Sequence, residues 1–418
     1  MILNDEQRKV IESNDRFLFL LAGAGSGKTR VIVEKIKSLL VKGVLPNEIL
    51  AITFTRKSAF EMKERVNNTD VHIHTFHQFC LQQLIKNSSY DSNIIDESNI
   101  PFSKDDVLKI SRYKNSLYRT TKPKSFLSYQ AYMKNHRLKD FDDFLLDFIE
   151  MVKERRYVSP YKYVFIDEFQ DTNLLQYEVL KMLIQKDTRV LAVGDPDQSI
   201  YQFRGAHSKI ISFYVKDYQA SVYTLSINYR CSPEIITYAN KLIERNNRKF
   251  KKKLITYNES MSEPILLNHD NETQESIYLI KEIEHYHQKG IKLSDIAVLY
   301  RTHYRAYELK YQLDLIDFPY EKEHKTQTRQ GIHLLTIHQA KGLEFEIVII
   351  IGLEKNVLPS THDSTQVEQD EERRLMFVAM TRAKKQLILS YVKLNSSNIL
   401  QKPSIFIKEC GLKNQKTK

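Results

Sequence analysis

Apolar runs of strand length alternate with helix-periodic stretches along most of this 418-residue chain. That alternation predicts an α/β fold of parallel sheets flanked by helices. Two observations sharpen the prediction. A glycine-rich turn links the first apolar run, Phe17 to Leu21, to a helical pattern, and eight more runs follow at intervals that suit two lobes. These are Ile49 to Phe54, Val71 to Ile73, Val164 to Ile166, Val190 to Val193, Val222 to Leu225, Ile296 to Tyr300, Ile332 to Ile337 and Ile347 to Ile351. Residues 81–156 break the rhythm with a polar, aromatic-dotted and mostly helical stretch, read as a small helical insertion packed on the first lobe.

The glycine-rich turn is Ala22, Gly23, Ala24, Gly25, Ser26, Gly27, Lys28 and Thr29, followed by Arg30. A turn of this kind entering a helix aims successive backbone N–H groups at one spot, where the helix dipole also favours negative charge. A triphosphate suits that spot, with Lys28 reaching the outer phosphates and the Thr29 hydroxyl holding Mg²⁺. The pattern starts with Ala22 where glycine is usual. A glycine-rich turn that binds nothing is the alternative, and the flanking strand and helix weigh against it. The run ending in Ile166 leads into Asp167 and Glu168. Asp167 at a strand end suits Mg²⁺, and Glu168 suits orienting and deprotonating an attacking water. By itself such an acid pair more often caps a helix, but beside a phosphate loop it points to an NTPase.

Composition narrows the partner. The 63 basic and 52 acidic side chains leave a formal charge of +11, which favours a polyanion over a role in solubility alone. The run Arg245 to Lys253 is basic, although such runs are commonly solvated faces. Three scattered cysteines, Cys80, Cys231 and Cys410, give no disulfide framework and no cluster spacing. The polar start at Asn4 and the absence of a span-length apolar run exclude a membrane reading and lead to the expectation of a cytoplasmic protein. His72, His74, His77 and Cys80 have the chemistry of a tetrahedral metal site, but the stretch coincides with a motif that accounts for it otherwise.

That motif is one of a series. In order, the chain carries Leu3 to Gln7, the phosphate loop, Ile52 to Lys57, His74 to His77, Ile166 to Asn173 and Val193 to Ala206. Asn228 to Arg230, Thr336 to Phe345 and Glu371 to Arg374 with Thr381 to Ala383 complete it. The order resembles superfamily 1 helicases of the UvrD, PcrA and Rep type, over nearly the whole chain. The resemblance implies two RecA-like P-loop NTPase lobes: residues 1–80 with 157–223 as an ATP-binding lobe, 81–156 as an insertion, 224–412 as a second lobe, and 413–418 as a basic tail.

It also implies roles. Gln7 would read the adenine edge, whose donor and acceptor match a side-chain amide, and Tyr229 would stack on the same base, packing at a strand end being its plainer explanation. Arg230 and Arg382 would reach the γ-phosphate from the second lobe across an interlobe cleft, Glu344 would bind the ribose, and Gln198 would link the γ-phosphate to the strand carrying the DNA contacts. Arg382 has a separate argument: if Glu371 to Lys385 is one helix, Leu375, Val378, Ala379 and Arg382 share a stripe, and an arginine on an apolar stripe needs an anionic partner. Single-stranded DNA would lie on Phe54, Thr75, Phe76, His77, Tyr201, Phe203, Arg204, Arg301 and His338. Bases stack on aromatic faces regardless of sequence. Core packing is the alternative for Phe54 and Phe76.

Departures from the family matter. Only 105 residues lie between Arg230 and Thr336, a stretch that passes through Gln327 to Gly331 and leaves no room for the large accessory domain called 2B. The stretch after Tyr391 shows no nuclease-like constellation. The expectation is an ATP- and Mg²⁺-dependent 3′ to 5′ translocase and helicase on single strands and duplex junctions. The alternative is an ATP-sensing subunit of a nuclease-associated repair or defence complex, with a protein partner and little unwinding of its own.

Overall fold

The computed structural model describes residues 3–87, 90, 93–95, 100–322, 331–360 and 365–413; the stretch 327–330, the tail from 414 and the side chain of Arg204 lie outside the described residues. Contacts divide the chain into two compact units, Met1–Ala22 with Gly27–Leu225, and Ser226–Lys418 with the short segment Gly23–Ser26.

The first unit runs α1 (Asp5–Glu12), β1 (Phe17–Ala22), α2 (Lys28–Val41), β2 (Ile49–Thr53), α3 (Arg56–Val66), β3 (His72–Thr75) and α4 (Phe76–Asn87). Then come α5 (Lys104–Asn115), α6 (Phe126–Asn135), α7 (Phe141–Lys153), β4 (Tyr163–Ile166), α8 (Leu174–Leu183), β5 (Arg189–Gly194), α9 (Ile210–Tyr218) and β6 (Ser221–Leu225). Six strands form one sheet in the order β3-β2-β4-β5-β1-β6. Every pairing is parallel. The inner strands are buried on both faces, which is why they read as unbroken apolar runs, whereas the edge strand β6 alternates between covered and exposed residues.

Helices α5 to α7 form most of the insertion. Of these, α5 and α6 close around a small core of Ile95, Ile110, Phe126, Tyr129 and Met133, and the boundary drawn at residue 80 falls within α4.

The second unit runs β7 (Ile227–Asn228), α10 (Pro233–Ile243), β8 (Ile255–Thr256), β9 (Ile265–Asn271), α11 (Glu272–Gln288), β10 (Ile296–Tyr300) and α12 (Tyr307–Leu315). It continues with β11 (Tyr320–Lys322), β12 (Ile332–Thr336), β13 (Phe345–Ile350), α13 (Gln366–Met380), β14 (Ala383–Leu394) and α14 (Ile405–Cys410). Its sheet, also wholly parallel, has the order β11-β12-β10-β13-β14-β9, and β7 pairs with β8. Three strands of that sheet, β9, β11 and β14, and the short pair β7 and β8 are absent from the runs read in the sequence.

The expected helix over Glu371 to Lys385 is corrected here: α13 ends at Met380, and Ala383 already belongs to β14. Pairing on both sides, to β13 and β9, outweighs the helical preference of the Ala-Lys-Lys start. Arg382 therefore lies in the turn between them and on no helical stripe, though it is only 2% exposed.

Within the insertion one lysine is buried among acids. Lys114 Nζ donates to Asp140 Oδ2 at 2.7 Å and Asp143 Oδ1 at 2.6 Å, and Asp142, also buried, accepts from Ser111 Oγ at 2.6 Å. Burial pushes the Asp142 carboxyl above its ordinary range, the Asp140 charge adds to the rise, and Ser111 and Lys114 oppose it. A carboxyl raised in the folded state binds its proton more tightly there than in the unfolded chain. Its effect is therefore a loss of stability as pH climbs from the unfolded value through the folded one. Asp142→Asn keeps an acceptor for Ser111 without the charge, so its thermal midpoint should exceed that of the wild type by about 2–4 °C at pH 8. Scans repeated down to pH 4 should show the gain disappearing, and a gain that grows with acidity would contradict the assignment.

Candidate functional site

In the first unit the end of β4 faces the start of α2, and the two carry complementary groups. Lys28 Nζ lies 2.9 Å from Glu168 Oε1, and Thr29 Oγ1 donates to Asp167 Oδ2 at 3.0 Å. Burial works to lower the Lys28 ammonium, yet the charges of Glu168, Asp195 and Asp167 hold it above its usual value. Burial raises the Asp167 carboxyl, with the Glu168 charge adding and Lys28 opposing. A hydroxyl and a carboxylate oxygen side by side are the hard oxygen donors that Mg²⁺ prefers. Gly27, the residue before α2, has a left-handed backbone and no side-chain cap. The first N–H groups of a fourteen-residue helix are thereby offered to an anion instead of to a capping oxygen.

Glu168 has φ +52°, the left-handed region that a glutamate rarely adopts. Strain of this kind persists where the surroundings impose it. They are visible here: Gln170 Nε2 donates to Glu168, Gln170 Oε1 accepts from the Asp195 backbone N–H at 2.8 Å, and Gln198 Nε2 donates to Asp195 Oδ2 at 2.5 Å. The chain Lys28, Glu168, Gln170, Asp195, Gln198 thus joins the phosphate loop to the turn after β5. Gln170 and Asp195 were given no role in the sequence reading, although both stand inside motifs it quoted. Gly194 makes room for the relay, since a Cβ there would sit 2.7 Å from Gln170 Oε1.

Gln7 is buried beside this loop. It closes a capping box with Asn4, and its Nε2 would be 3.0 Å from a Cβ on Gly27. Ala22 ends β1, fully buried, and Arg30 lies in the first turn of α2.

In the second unit Asn228 organises the other candidates. Its Oδ1 accepts from the backbone N–H of Arg230 at 2.9 Å and Cys231 at 2.7 Å, and its Nδ2 donates to Ala24 O at 2.7 Å. The Tyr229 N–H donates to Gly25 O. Gly25, with φ +64°, leaves no space for a side chain, because a Cβ would lie 2.7 Å from Asn228 Nδ2. The Tyr229 ring is 38% exposed. Arg230 Nε donates to Glu344 Oε2 at 2.8 Å, and Lys384 Nζ stands 3.1 Å from Glu344 Oε1. Burial acts to raise the Glu344 carboxyl, but Arg230 and Lys384 hold it below its usual value. Buried Arg382 donates to the carbonyls of Val378 at 3.0 Å and Leu343 at 3.1 Å. The anionic partner expected on the stripe argument is not what holds it in these bonds.

The nucleic-acid candidates separate into three groups. Phe54 stacks on Tyr201 with ring centroids 5.2 Å apart, and Tyr201 lies 6.1 Å from Phe203, so the three rings form one row. Thr75 and Phe76, by contrast, are buried where β3 passes into α4, and the Thr75 hydroxyl accepts from the Gln78 N–H at the helix start. His77 packs edge-on against Phe141, and burial depresses its imidazole to about 4. Core packing thus accounts for Phe76. In the second unit Arg301 is engaged by Glu372, Nη2 to Oε1 at 2.8 Å, while His338 lies half-buried in the turn after β12. His72 Nδ1 meets Tyr161 Oη at 2.6 Å, and among the described residues no group of three or more His, Cys, Asp or Glu is placed to hold a metal ion. No described helix is long and apolar enough to cross a membrane.

Residues 3–112 and 92–219 match the UvrD/REP helicase N-terminal domain, and residues 223–327 and 320–394 match the UvrD-like helicase C-terminal domain. A probable DNA helicase of Mycoplasma pneumoniae is 32% identical, with 97% of this chain and 86% of that protein covered. ATP-dependent DNA helicase PcrA of Bacillus subtilis is 35% identical over 72% of this chain. The alignment takes in 47% of that PcrA, so the chain matches about half the length of this relative. PcrA of Leuconostoc citreum is 30% identical, covering 79% of this chain and 51% of its own length. With both halves matched and the strand-end carboxylates set against the phosphate loop, the chain belongs to the UvrD/REP helicase family.

Proposed function

We propose that this protein is an ATP-dependent motor on single-stranded DNA that moves 3′ to 5′ and unwinds duplex junctions. The observation that carries the proposal is the convergence of Lys28 and Thr29 with Glu168 and Asp167 within about one hydrogen-bond length. Family membership and the PcrA relatives support DNA as the track. In this reading residues 1–80 and 157–223 form the ATP-binding lobe, 81–156 the insertion and 224–412 the second lobe.

Thr29 and Asp167 would hold Mg²⁺, which supplies charge neutralisation at the phosphates when bound. A phosphate oxygen that draws Lys28 to itself would release Glu168 from its ion pair, leaving Gln170 to orient it. Glu168 then takes the proton of the attacking water. Gln198 lies one hydrogen bond from Asp195 and would pass the state of the phosphates to the Tyr201–Phe203 turn. Gln7 and Tyr229 would hold the base, Glu344 the ribose, and Arg230 with Arg382 would neutralise charge on the transferred phosphoryl group. The row Phe54, Tyr201 and Phe203 would stack bases at roughly 1–3 kcal/mol each, without sequence preference.

DNA-stimulated ATP hydrolysis tests the core of this. Lys28→Ala and Glu168→Gln should each lower kcat by 10²-fold or more, on the order expected for loss of phosphate positioning or of a general base. Glu168→Gln should still bind ATP, and full turnover in that variant would remove it as the base.

Gly194→Ala should lower kcat about tenfold, a fraction of the general-base contribution, with ATP affinity little changed, because it displaces Gln170 and leaves Lys28 in place. An unchanged kcat would show that the relay has no part in the reaction. Strand displacement on duplexes with a 3′ or a 5′ overhang checks polarity, and a preference for the 5′ overhang would reverse it. The same assay at rising salt should lose affinity steeply if phosphate contacts dominate binding.

A further inference from the structure

Phe203 is 38% exposed and rides on the short 3-10 turn Gln202–Arg204. A ring on so small a turn needs support from elsewhere to keep one orientation. Two residues on one face of α5, at i and i+3, reach that turn from the insertion. Arg112 Nε donates to Phe203 O at 2.6 Å. Asn115 lies against Gly205, where a Cβ would come 3.4 Å from the Asn115 Cβ.

Asn115 is itself buried, with both amide atoms hydrogen-bonded. Its Oδ1 accepts from Asn173 Nδ2 at 2.8 Å and its Nδ2 donates to Ser111 Oγ at 3.1 Å. Asn173 caps α8, accepting from the Gln176 N–H at 2.8 Å, and so ends the segment that begins with Asp167 and Glu168. The turn is tied to the same place along its own backbone, where the His207 N–H donates to Thr172 O at 3.2 Å.

We infer that α5 is a strut that sets the position of the Phe203 ring, and that Arg112 and Asn115 are positioning residues for the grip on single-stranded nucleic acid. The inference rests on the reading of Phe203 as a base-stacking surface. A turn held in place beforehand gives up less conformational freedom when a base stacks on it, so the strut acts on affinity and not on the chemistry of hydrolysis. It also gives the helical insertion a task inside the first unit, at the junction of the segment bearing the carboxylates and the turn bearing the aromatics.

The absence of tryptophan from the chain makes the test direct. Phe203→Trp introduces a single indole on the turn, whose acrylamide quenching and fluorescence anisotropy report how firmly it is held. In the Phe203→Trp background, Arg112→Ala should raise quenching and lower anisotropy, and Arg112→Lys, which retains a donor, should restore part of both.

In the otherwise unaltered chain, Arg112→Ala should weaken binding of a labelled oligo(dT) roughly two- to tenfold, the order of the freedom given up when one loosened side chain is immobilised on binding. DNA-independent ATP hydrolysis should not move. Asn115→Ala should reproduce the quenching change through the second contact. Unchanged quenching and anisotropy in both Arg112→Ala and Asn115→Ala overturn the strut, whatever the DNA result. Unchanged oligo(dT) affinity in Phe203→Ala overturns instead the stacking reading, while the indole still reports whether α5 holds the turn.

Discussion

The facing of Lys28 and Thr29 by Glu168 and Asp167 depends on a constraint of the sheet. Because β4, β5 and β1 lie side by side and parallel, their C-terminal ends emerge along one edge, and everything that follows them is gathered there. Lys28 and Thr29 after β1 therefore meet the acid pair after β4 and Asp195 after β5, although more than a hundred residues separate the first two from the rest in sequence. A slip of one residue at β4 would exchange the side chains on its two covered faces and carry the carboxylates about 3.3 Å along the strand, away from the lysine.

The second unit solves the same problem with buried charge. Arg305 follows β10, Glu354 follows β13 and Glu275 lies on α11. The Arg305 guanidinium meets Glu275 Oε2 at 2.7 Å and Glu354 Oε1 at 3.0 Å, with Glu272 at 3.9 Å. Ser390 Oγ and the Val392 N–H, both on β14, donate to Glu275 and Glu354 in turn. Burial raises the Glu272 and Glu354 carboxyls, while Arg305 pulls both down. Such a cluster holds loops in register more than it adds net stability, since desolvating its members offsets much of their attraction.

The six strands of the first sheet and the glycine-rich turn after β1 were legible because their signals are local. An unbroken apolar run reveals a strand covered on both faces, and a glycine-rich turn reveals its own backbone geometry. What was misread or left open has a cause in tertiary context. Ala383 to Lys385 has helical composition, but the strand they begin is gripped by neighbours on both sides. Phe76 and Phe54 look alike in sequence; one enters the core at the start of α4 and the other joins a row of rings at a strand end. The Gln170 and Asp195 relay could be placed within motifs, yet its direction depends on a glutamate with positive φ, which no pattern of residue types announces. Arg112 carried no signal at all, being one arginine on the surface of a polar helix.

The strand order has a cost during synthesis. Among the described residues β1 pairs only with β5 and β6, and β5 begins at Arg189. At roughly 5–20 residues per second, the ribosome needs on the order of 10–30 s to deliver β5 after β1 has emerged. Throughout that interval the hexapeptide Phe-Leu-Phe-Leu-Leu-Ala of β1 has no partner strand. The segment from which the phosphate loop hangs is therefore a long-lived sticky patch on the nascent chain, and shielding it falls to whatever meets the polypeptide at the exit tunnel.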